Sequence, residues 1–314
     1  MRSIHIVAAV MALAAHSTSH AWNSRGHMVV AAVAWDHLTP KARTRATALL
    51  KLNPNYQKWI KDVAVRDRRQ TAFVRAATWP DEIKQDRRYE KDSYTPPAAI
   101  AGRNIGYADM TMHRGWHFKD IPLTEDGAAG EEPFAFNAVS QIAAFSAAIG
   151  DGRFSDDIQS YDLAWLLHLV GDIHQPLHAT SRFNTAFPSG DTGGNGVKIC
   201  SQTATTCDLD HGSALHSLWD GAVGTSSSPK SAIAFRTRLP ASSVESLIVT
   251  DPQKWAEESF ELARNAVYVE PVGHQAGPYR LTSSYRTTAG SIAEKRIALA
   301  GERLAKLLNE KLGQ

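Results

Sequence analysis

Residues 166–178 of the chain read LLHLVGDIHQPLH. His168 and Asp172 are four residues apart, so in a helix both side chains lie on one face, where they can share one metal ion or bridge two. Pro176 predicts the end of this helix and turns His178 in a different direction. Because the flanking residues are apolar, an unpaired Asp172 would be costly to bury. The stretch therefore predicts a buried helix with metal-binding groups on one face.

A second pair with the same spacing, His216 and Asp220, lies in the segment LHSLWD at 215–220. For either pair alone, a buried Asp–His ion pair is an equally good interpretation. Two such pairs with a third histidine, His178, next to one of them favour a metal cluster over separate ion pairs.

Helical patterning extends outward from this stretch over most of the chain. Apolar residues at helical spacing predict helices near 27–37, 40–52, 60–77, 133–149, 157–174, 211–223, 252–268 and 283–311. Gly, Pro, Ser, Thr and Asp predict loops at 85–115, 180–210 and 224–250, with a short hairpin around 194–208. No internal repeat or low-complexity linker divides the sequence. The predicted fold class is all-α, in one domain spanning residues 22–314.

Composition limits the classes of function. The chain has 314 residues, 43% of them hydrophobic and 21% charged, which is ordinary for a globular protein with a large core. Lys and Arg number 34 against 32 Asp and Glu, a net charge of +2. So small a net charge argues against a repressor-like or histone-like protein, whose affinity for nucleic acid comes from a dense cationic surface. A chain of this charge that handles a polyanion needs another source of positive charge, and metal ions supply one.

Residues 1–21 have the features of a signal peptide. Arg2 gives a positive start, residues 6–15 form an apolar run too short to span a bilayer, and SHA at 19–21 matches a small-x-small cleavage site. A buried N-terminal helix is the alternative. Cleavage after the SHA tripeptide makes Trp22 the first residue of a mature chain without a membrane span, expected to be periplasmic or secreted.

Two cysteines are present, Cys200 and Cys207. In an oxidising compartment they most simply close a small loop as a disulfide. A metal-binding pair is the weaker interpretation, because further thiolates or histidines at the spacing of a zinc ribbon are missing.

Six segments, taken in chain order, resemble one known family. They read WNSRGH at 22–27, TWPDEIK at 78–84, WHFKD at 116–120, GDIHQPLH at 171–178, GGN at 193–195 and AGERLA at 300–305. Together they resemble the S1/P1 nucleases, and the resemblance runs from Trp22 to Leu308. The zinc-dependent bacterial phospholipases C are similar in scaffold and in their N-terminal Trp. They resemble this chain less in the GGN loop, and they typically carry Glu at the position of Asp220.

The resemblance implies the multi-helix scaffold shared by phospholipase C and P1 nuclease, with three zinc ions bound to it. Nitrogen and oxygen donors of this kind suit zinc. The implied ligands form three sets. The first is His27 with Trp22, which binds through its α-amino nitrogen and carbonyl oxygen. The second is Asp81, His117 and His168, with Asp172 bridging the first and second sets, and the third is His178, His216 and Asp220. Because both Trp22 donors are backbone atoms, its indole is expected only to pack.

The resemblance also implies substrate contacts. The implied catalytic residues are Lys84 and the two metal ligands Asp81 and Asp172. Lys84 matches a position where the family often carries Arg against the scissile phosphate. A solvated lysine beside acidic neighbours is the alternative. Phe118 and Asp120 resemble the family's base pocket, although packing alone can explain the aromatic ring.

Other polar residues are assigned with less support from motifs. Asn195 either contributes to the base pocket or orients its own loop. His174 is expected to face away from the metals and to hydrogen-bond in the core. The histidines without a motif are expected to be structural or exposed: His37, His113, His211 and His274.

The implied activity is hydrolysis of single-stranded DNA and RNA to 5′-phosphorylated products, with 3′-nucleotidase activity on 3′-nucleotides. Single strands are expected, because a pocket that stacks one base needs that base free of its duplex partner. The expected form is a monomer. A phospholipase C is the alternative enzyme, and a non-catalytic zinc-binding protein is the alternative from another class, since such a protein needs no base pocket.

Overall fold

The computed structural model describes residues 22–92, 103–201, 206–209 and 212–314. The predicted signal peptide, residues 1–21, lies outside the described residues, and so does His211. Within the described residues, no helix is long and apolar enough to cross a membrane.

The described chain is mainly helical, as predicted. Its α-helices are α1 Ser24–His37, α2 Pro40–Leu50, α3 Tyr56–Ile60, α4 Arg68–Ala76, α5 Trp79–Glu82, α6 Ala138–Ala148, α7 Asp156–Asp172, α8 Leu215–Asp220, α9 Pro229–Phe235, α10 Val244–Leu247, α11 Pro252–Leu262 and α12 Ser283–Leu312. Short 3₁₀ turns include Ile83–Gln85, Arg114–His117 and Pro176–His178, and one π turn, Ala263–Val267, extends α11.

Helices α1 and α7 form the centre of the molecule. Every residue of α7 from Gln159 to Asp172 is buried, which explains why its sequence is apolar on nearly all sides. Helix α1 packs against α12, where Gly301 permits a close approach. A Cβ atom at Gly301 would lie 2.5 Å from the Val33 Cβ and 2.8 Å from the Val30 carbonyl oxygen.

The local start signals act as the sequence predicts. The Thr39 hydroxyl accepts a hydrogen bond from the Ala42 amide at 3.2 Å, and Pro40 occupies the first turn of α2. Ser155 caps α7, and Asp156 and Asp157 place negative charge in its first turn, where the helix dipole favours it.

Two small pairs of strands join the helical segments. Strand β1, Ile121–Thr124, pairs in parallel with β2, Thr180–Phe183. Strand β3, Lys198–Ile199, pairs antiparallel with β4, Ser213–Ala214. The hairpin predicted within 194–208 is therefore misplaced, because the partner of β3 lies beyond the loop that the disulfide closes. The parallel pair holds two predicted ligand segments side by side, since β1 follows His117 and β2 follows His178.

Further boundaries differ from the sequence prediction. The helix predicted at 60–77 forms only from Arg68, as α4, since Asp62, just after α3, adopts a left-handed φ of 60°. The helix predicted at 211–223 begins at Leu215, because Ser213 and Ala214 form β4. The helix predicted from 133 begins at Ala138, because the Asn137 side chain caps it there. The segment 224–250, predicted as loop, contains α9 and α10, whose few residues give too short a periodic signal to detect.

Candidate metal centre

Eight of the predicted ligand side chains converge in the core beside α7. Groups of three that could hold one metal ion, with their ligand atoms within 4.8 Å of one another, are His27–Asp81–His168, His117–His168–Asp172 and His178–His216–Asp220. All eight side chains are buried. The first two groups share His168, so they form one larger cluster.

Asp172 lies at the centre of that larger cluster. Its Oδ1 is 3.2 Å from the His27 Nε2, and its Oδ2 is 3.2 Å from both the His117 Nδ1 and the His168 Nε2. The Asp81 Oδ1 lies 3.8 Å from the His168 Nε2 and 3.9 Å from the His117 Nδ1. One carboxylate therefore faces two sets of nitrogen donors, one set on each oxygen.

The second cluster is built from α8 and the Pro176–His178 turn. The His178 Nε2 lies 3.0 Å from the His216 Nε2 and 3.9 Å from the Asp220 Oδ1, while the His216 Nε2 is 3.4 Å from the Asp220 Oδ2. Ligands about 2.0–2.2 Å from a tetrahedral zinc lie roughly 3.3–3.6 Å apart. The spacing in both clusters is close to that of a zinc site.

Backbone carbonyls fix the orientation of three of these histidines. The Nδ1 of His168, His178 and His216 donates to the carbonyl oxygens of Ala77, His117 and Gly193, at 2.7, 2.7 and 2.6 Å. With the proton on Nδ1, each Nε2 keeps its lone pair for a ligand. The motifs gave no sign of these carbonyls, because they come from three distant segments.

Gly193 explains part of the GGN loop. Its φ is +61°, and a Cβ atom there would lie 2.4 Å from the Leu177 carbonyl oxygen. Only glycine fits this position, and the resulting turn aims the Gly193 carbonyl at His216. The Asn195 side chain donates to the Thr192 carbonyl at 2.8 Å, so it orients its own loop, one of the two roles considered for it.

Burial keeps His27, His117 and His216 neutral, whereas Asp172 and Asp81 raise the pKa of His168 against its own burial. Desolvation, reinforced by His168, lowers the pKa of His27 to about 4, and desolvation, reinforced by Lys84, lowers the pKa of His117 to about 3. Desolvation and the nearby His178 lower the pKa of His216 to about 3. A neutral imidazole is the form that binds metal.

The carboxylates differ from one another. Burial acts to raise the pKa of Asp172, but His168 and His27 hold it well below its usual range. Lys84 and His168 likewise hold the pKa of Asp81 below its usual range, although burial acts to raise it. Burial raises the pKa of Asp220 well above its usual range, although Gln175 donates a hydrogen bond to it at 2.7 Å. Asp220 is therefore the carboxyl group that most lacks a cationic neighbour.

Several buried polar atoms in the larger cluster have no hydrogen-bond partner among the described residues. They are both ring nitrogens of His27, the His117 Nε2 and the Asp172 Oδ1. Leaving such groups unpaired costs roughly 1–3 kcal/mol each. A divalent cation between Asp172 and His27 would satisfy the Asp172 Oδ1 and the His27 Nε2 that faces it at 3.2 Å, so the residues present fit zinc.

Lys84 is not the solvated lysine of the alternative interpretation. Its side chain is only 8% exposed, and its Nζ lies 2.8 Å from the Asp81 Oδ1. The ammonium group therefore stands at the edge of the larger cluster, within reach of any anion bound there.

The predicted base-pocket residues lie next to the metal ligands. Phe118 directly follows His117 and contacts the Phe134 ring, with centroids 6.2 Å apart. Burial, reinforced by Asp191, raises the pKa of Asp120 to about 8. At neutral pH this carboxyl group is mostly protonated, so it presents both a donor and an acceptor.

Trp22 is fully buried at the start of α1, beside His27. Its indole does more than pack, because Nε1 donates to the Gly171 carbonyl at 2.9 Å. The expectation of packing alone is therefore wrong. The contact ties the first described residue to the turn of α7 that carries Asp172.

Residues outside the clusters also follow their predictions in part. Cys200 and Cys207 form the predicted disulfide. His174 hydrogen-bonds in the core, as expected, through the Val170 carbonyl and Arg303. His113 is buried, with its Nε2 2.6 Å from an oxygen of Asp109, which makes it structural.

Comparison with known proteins gives one family. The sequence model described as S1/P1 Nuclease matches residues 22–313. The chain is similar to Endonuclease 1 of Arabidopsis thaliana, with 26% identity over 325 residues that cover 97% of this chain and 91% of the relative. It is also similar to Endonuclease 3 of the same plant, with 25% identity over 312 residues that cover 92% and 88% of the two chains.

Proposed function

The chain belongs to the S1/P1 nuclease family and is a nuclease, and we propose that it is an exported, zinc-dependent phosphodiesterase. It hydrolyses single-stranded DNA and RNA to 5′-phosphorylated products and also has 3′-nucleotidase activity. The observation that carries this proposal is the convergence of buried imidazoles and carboxylates around Asp172, where several polar atoms have no hydrogen-bond partner among the described residues.

The proposal assigns three zinc ions to nine residues. The ligand sets are Trp22 and His27; Asp81, His117 and His168, with Asp172 shared; and His178, His216 and Asp220. When bound, zinc supplies positive charge for the phosphate and activates water for hydrolysis. A chain of net charge +2 has few other means of attracting a polyanion.

The remaining roles belong to side chains around the clusters. Lys84 neutralises charge on the scissile phosphate as a point charge. Its ion pair with Asp81 holds the ammonium group in position for this contact. Phe118 stacks on one nucleobase, and Asp120 hydrogen-bonds to its edge. Stacking requires an unpaired base, which supports single strands as the substrate.

Elemental analysis of the purified protein, with hydrolysis of denatured DNA before and after chelation, tests the proposal. We expect about three zinc ions per chain, and loss of activity on chelation that zinc restores. Fewer than about two zinc ions would contradict the cluster, since a single catalytic zinc needs only three protein ligands. Faster hydrolysis of phosphatidylcholine than of denatured DNA would favour the phospholipase alternative.

A substitution separates the base pocket from the chemistry. Phe118→Ala should remove stacking worth roughly 1–3 kcal/mol, so kcat/KM for nucleotide substrates should fall about 5- to 150-fold. Hydrolysis of bis(4-nitrophenyl) phosphate, which has no nucleobase, should change little. Equal losses on both substrates would mean that Phe118 only packs.

A further inference from the structure

A cleft of about 800 Å³ opens beside Asp81. Its walls come from the start of α1, the residues around α3 and the segment that follows α5. The charged residues that line it are the acidic Asp81, Glu82 and Asp86 and the basic Lys58, Arg87 and Arg88. None of the residues assigned above to the base pocket lies in this cleft.

Most charges that line the cleft are paired within the protein. The Lys58 Nζ lies 3.2 Å from the Glu82 Oε2, and the Arg88 guanidinium binds both oxygens of Asp86. Arg87 differs, because its side chain is exposed and has no ion pair or hydrogen bond among the described residues. It is the cleft's uncommitted positive charge.

The backbone that carries Arg87 is held on both sides. The Asp86 amide donates to the Ile83 carbonyl at 3.1 Å, and the Tyr89 amide donates to the Asp86 carbonyl at 3.0 Å. Tyr89 is itself buried and contacts the Trp79 ring. Arg87 therefore projects from an anchored turn, six residues after Asp81 and three after Lys84.

A second cleft, of about 710 Å³, is chemically different. It is lined by Lys119, by two phenylalanines and by three glutamates, Glu132, Glu257 and Glu261. Its lysine stands among these carboxylates and donates a hydrogen bond to Gln253. Arg87, by contrast, has no such partner among the described residues.

We propose that the cleft beside Asp81 binds the sugar–phosphate backbone of a single strand next to the scissile phosphate, and that Arg87 contacts a phosphate of a neighbouring nucleotide. This inference rests on the proposed function, and it makes the site selective for polymers over mononucleotides. Arginine suits the contact because its planar group can hold two phosphate oxygens at once.

Steady-state kinetics on substrates of increasing length test this proposal. Arg87→Glu should raise KM for single-stranded octathymidylate roughly 5- to 20-fold and lower the slope of log(1/KM) against log salt by about 0.7–1. The kcat for the octamer and kcat/KM for bis(4-nitrophenyl) phosphate should stay within twofold of the wild type. Arg87→Lys should recover most of the lost affinity.

The matched control is Arg153→Ala, with Arg87→Ala beside it. Arg153 is 85% exposed in the turn before α7. It lies near the N-terminus of a 17-residue helix whose last residue is Asp172, about 24 Å away at 1.5 Å per residue. The control should leave the octamer KM unchanged, whereas Arg87→Ala should raise it severalfold.

Two results would overturn the proposal: equal effects of Arg87→Glu on the octamer and the small ester, or equal effects of the Arg87 and Arg153 changes on the octamer. Binding of a cleavage-resistant phosphorothioate octathymidylate, followed by fluorescence anisotropy, gives an answer without turnover. If the wild type binds this strand and Arg87→Glu weakens binding while no substrate is hydrolysed, the cleft stands and the proposed function fails.

Discussion

His168 and His174 lie six residues apart in the same segment, and both are completely buried. Each donates its Nδ1 proton to a backbone carbonyl at 2.7 Å, from Ala77 and Val170 respectively. At the other nitrogen they differ. The His174 Nε2 lies 2.9 Å from the Arg303 guanidinium, whereas the His168 Nε2 lies 3.2 Å from the Asp172 carboxylate and 2.9 Å from the His117 Nδ1.

The surroundings of His174 form a closed network. Arg303 donates to both oxygens of Glu258, each at 2.7 Å, and to the Ser246 carbonyl at 2.8 Å. Arg296 donates to the same Glu258 and to the His174 carbonyl. In this network each nitrogen donor finds an oxygen or a neutral ring nitrogen, so the protein itself satisfies the cluster.

Around His168 the facing groups are potential metal ligands instead. Its Nε2 meets another imidazole nitrogen and a carboxylate oxygen, and no arginine among the described residues closes the cluster. Two equally buried histidines therefore serve different purposes, which depend on whether the group that faces the Nε2 is a hydrogen-bond donor or a potential metal ligand. Convergent acceptors identify the ligand site, and paired donors identify the structural one.

The largest expected effect is that of Asp172→Asn. The change removes the charge that both metal sets share, so we expect kcat to fall more than about 100-fold together with a loss of zinc. Kinetics and elemental analysis on the same preparation measure both. Full zinc content with normal turnover would show that the water is activated elsewhere. The matched control is Asp162→Asn, ten residues earlier on α7 and equally buried, which should retain zinc and activity.

Next in size is the effect of extending the N-terminus. One extra residue before Trp22 replaces the α-amine with a peptide nitrogen, which is a far poorer ligand. The extended protein should fold, bind one zinc ion fewer and lose most of its activity. Metal analysis of protein starting at Met-Trp22, beside protein starting at Trp22, gives the comparison. Equal zinc content and turnover would remove Trp22 from the ligand set.

Breaking the closed network should change stability instead of chemistry. Arg303→Met removes the partner of the His174 Nε2 and one of the two arginines that pair with Glu258, so the free energy of unfolding should fall by about 1–3 kcal/mol. Urea denaturation measures this loss. Below the unfolding transition, zinc content and kcat should stay near wild-type values. A loss of zinc in the folded variant would show that the Arg303–Glu258 network and the metal cluster are coupled, and would contradict their separate roles.

The smallest effect is expected at Asp162 itself, which carries one oxygen without a partner among the described residues. Burial raises the pKa of this carboxyl group to about 8, against about 4 in the unfolded chain. Between these values the folded form retains a proton that the unfolded form loses, so stability falls as pH rises from 4 to 8. Asp162→Asn should flatten this dependence and raise Tm at pH 8 by a few degrees. An unchanged pH profile of Tm would contradict the pKa assignment.

Much of the fold follows from local signals. Helix α7 could be predicted because apolar residues surround the His168–Asp172 pair, and α2 because of Thr39 and Pro40. The parallel pair β1–β2 could not be predicted, since its paired residues lie 59 positions apart (Ile121 with Thr180) and each four-residue strand is too short to show a period. The short helices α9 and α10 were missed for the same reason.

For the site, the residue types and their order along the chain were enough to predict the ligands, and the resemblance to the S1/P1 nucleases followed from that order alone. Only the tertiary structure decided how these residues are oriented. Carbonyls of Ala77, His117 and Gly193 set the tautomers, and Lys84 is turned inward to Asp81. The division has a physical reason. Spacing along a helix fixes the face on which a side chain lies, but what it meets there comes from segments that only the packed core brings together.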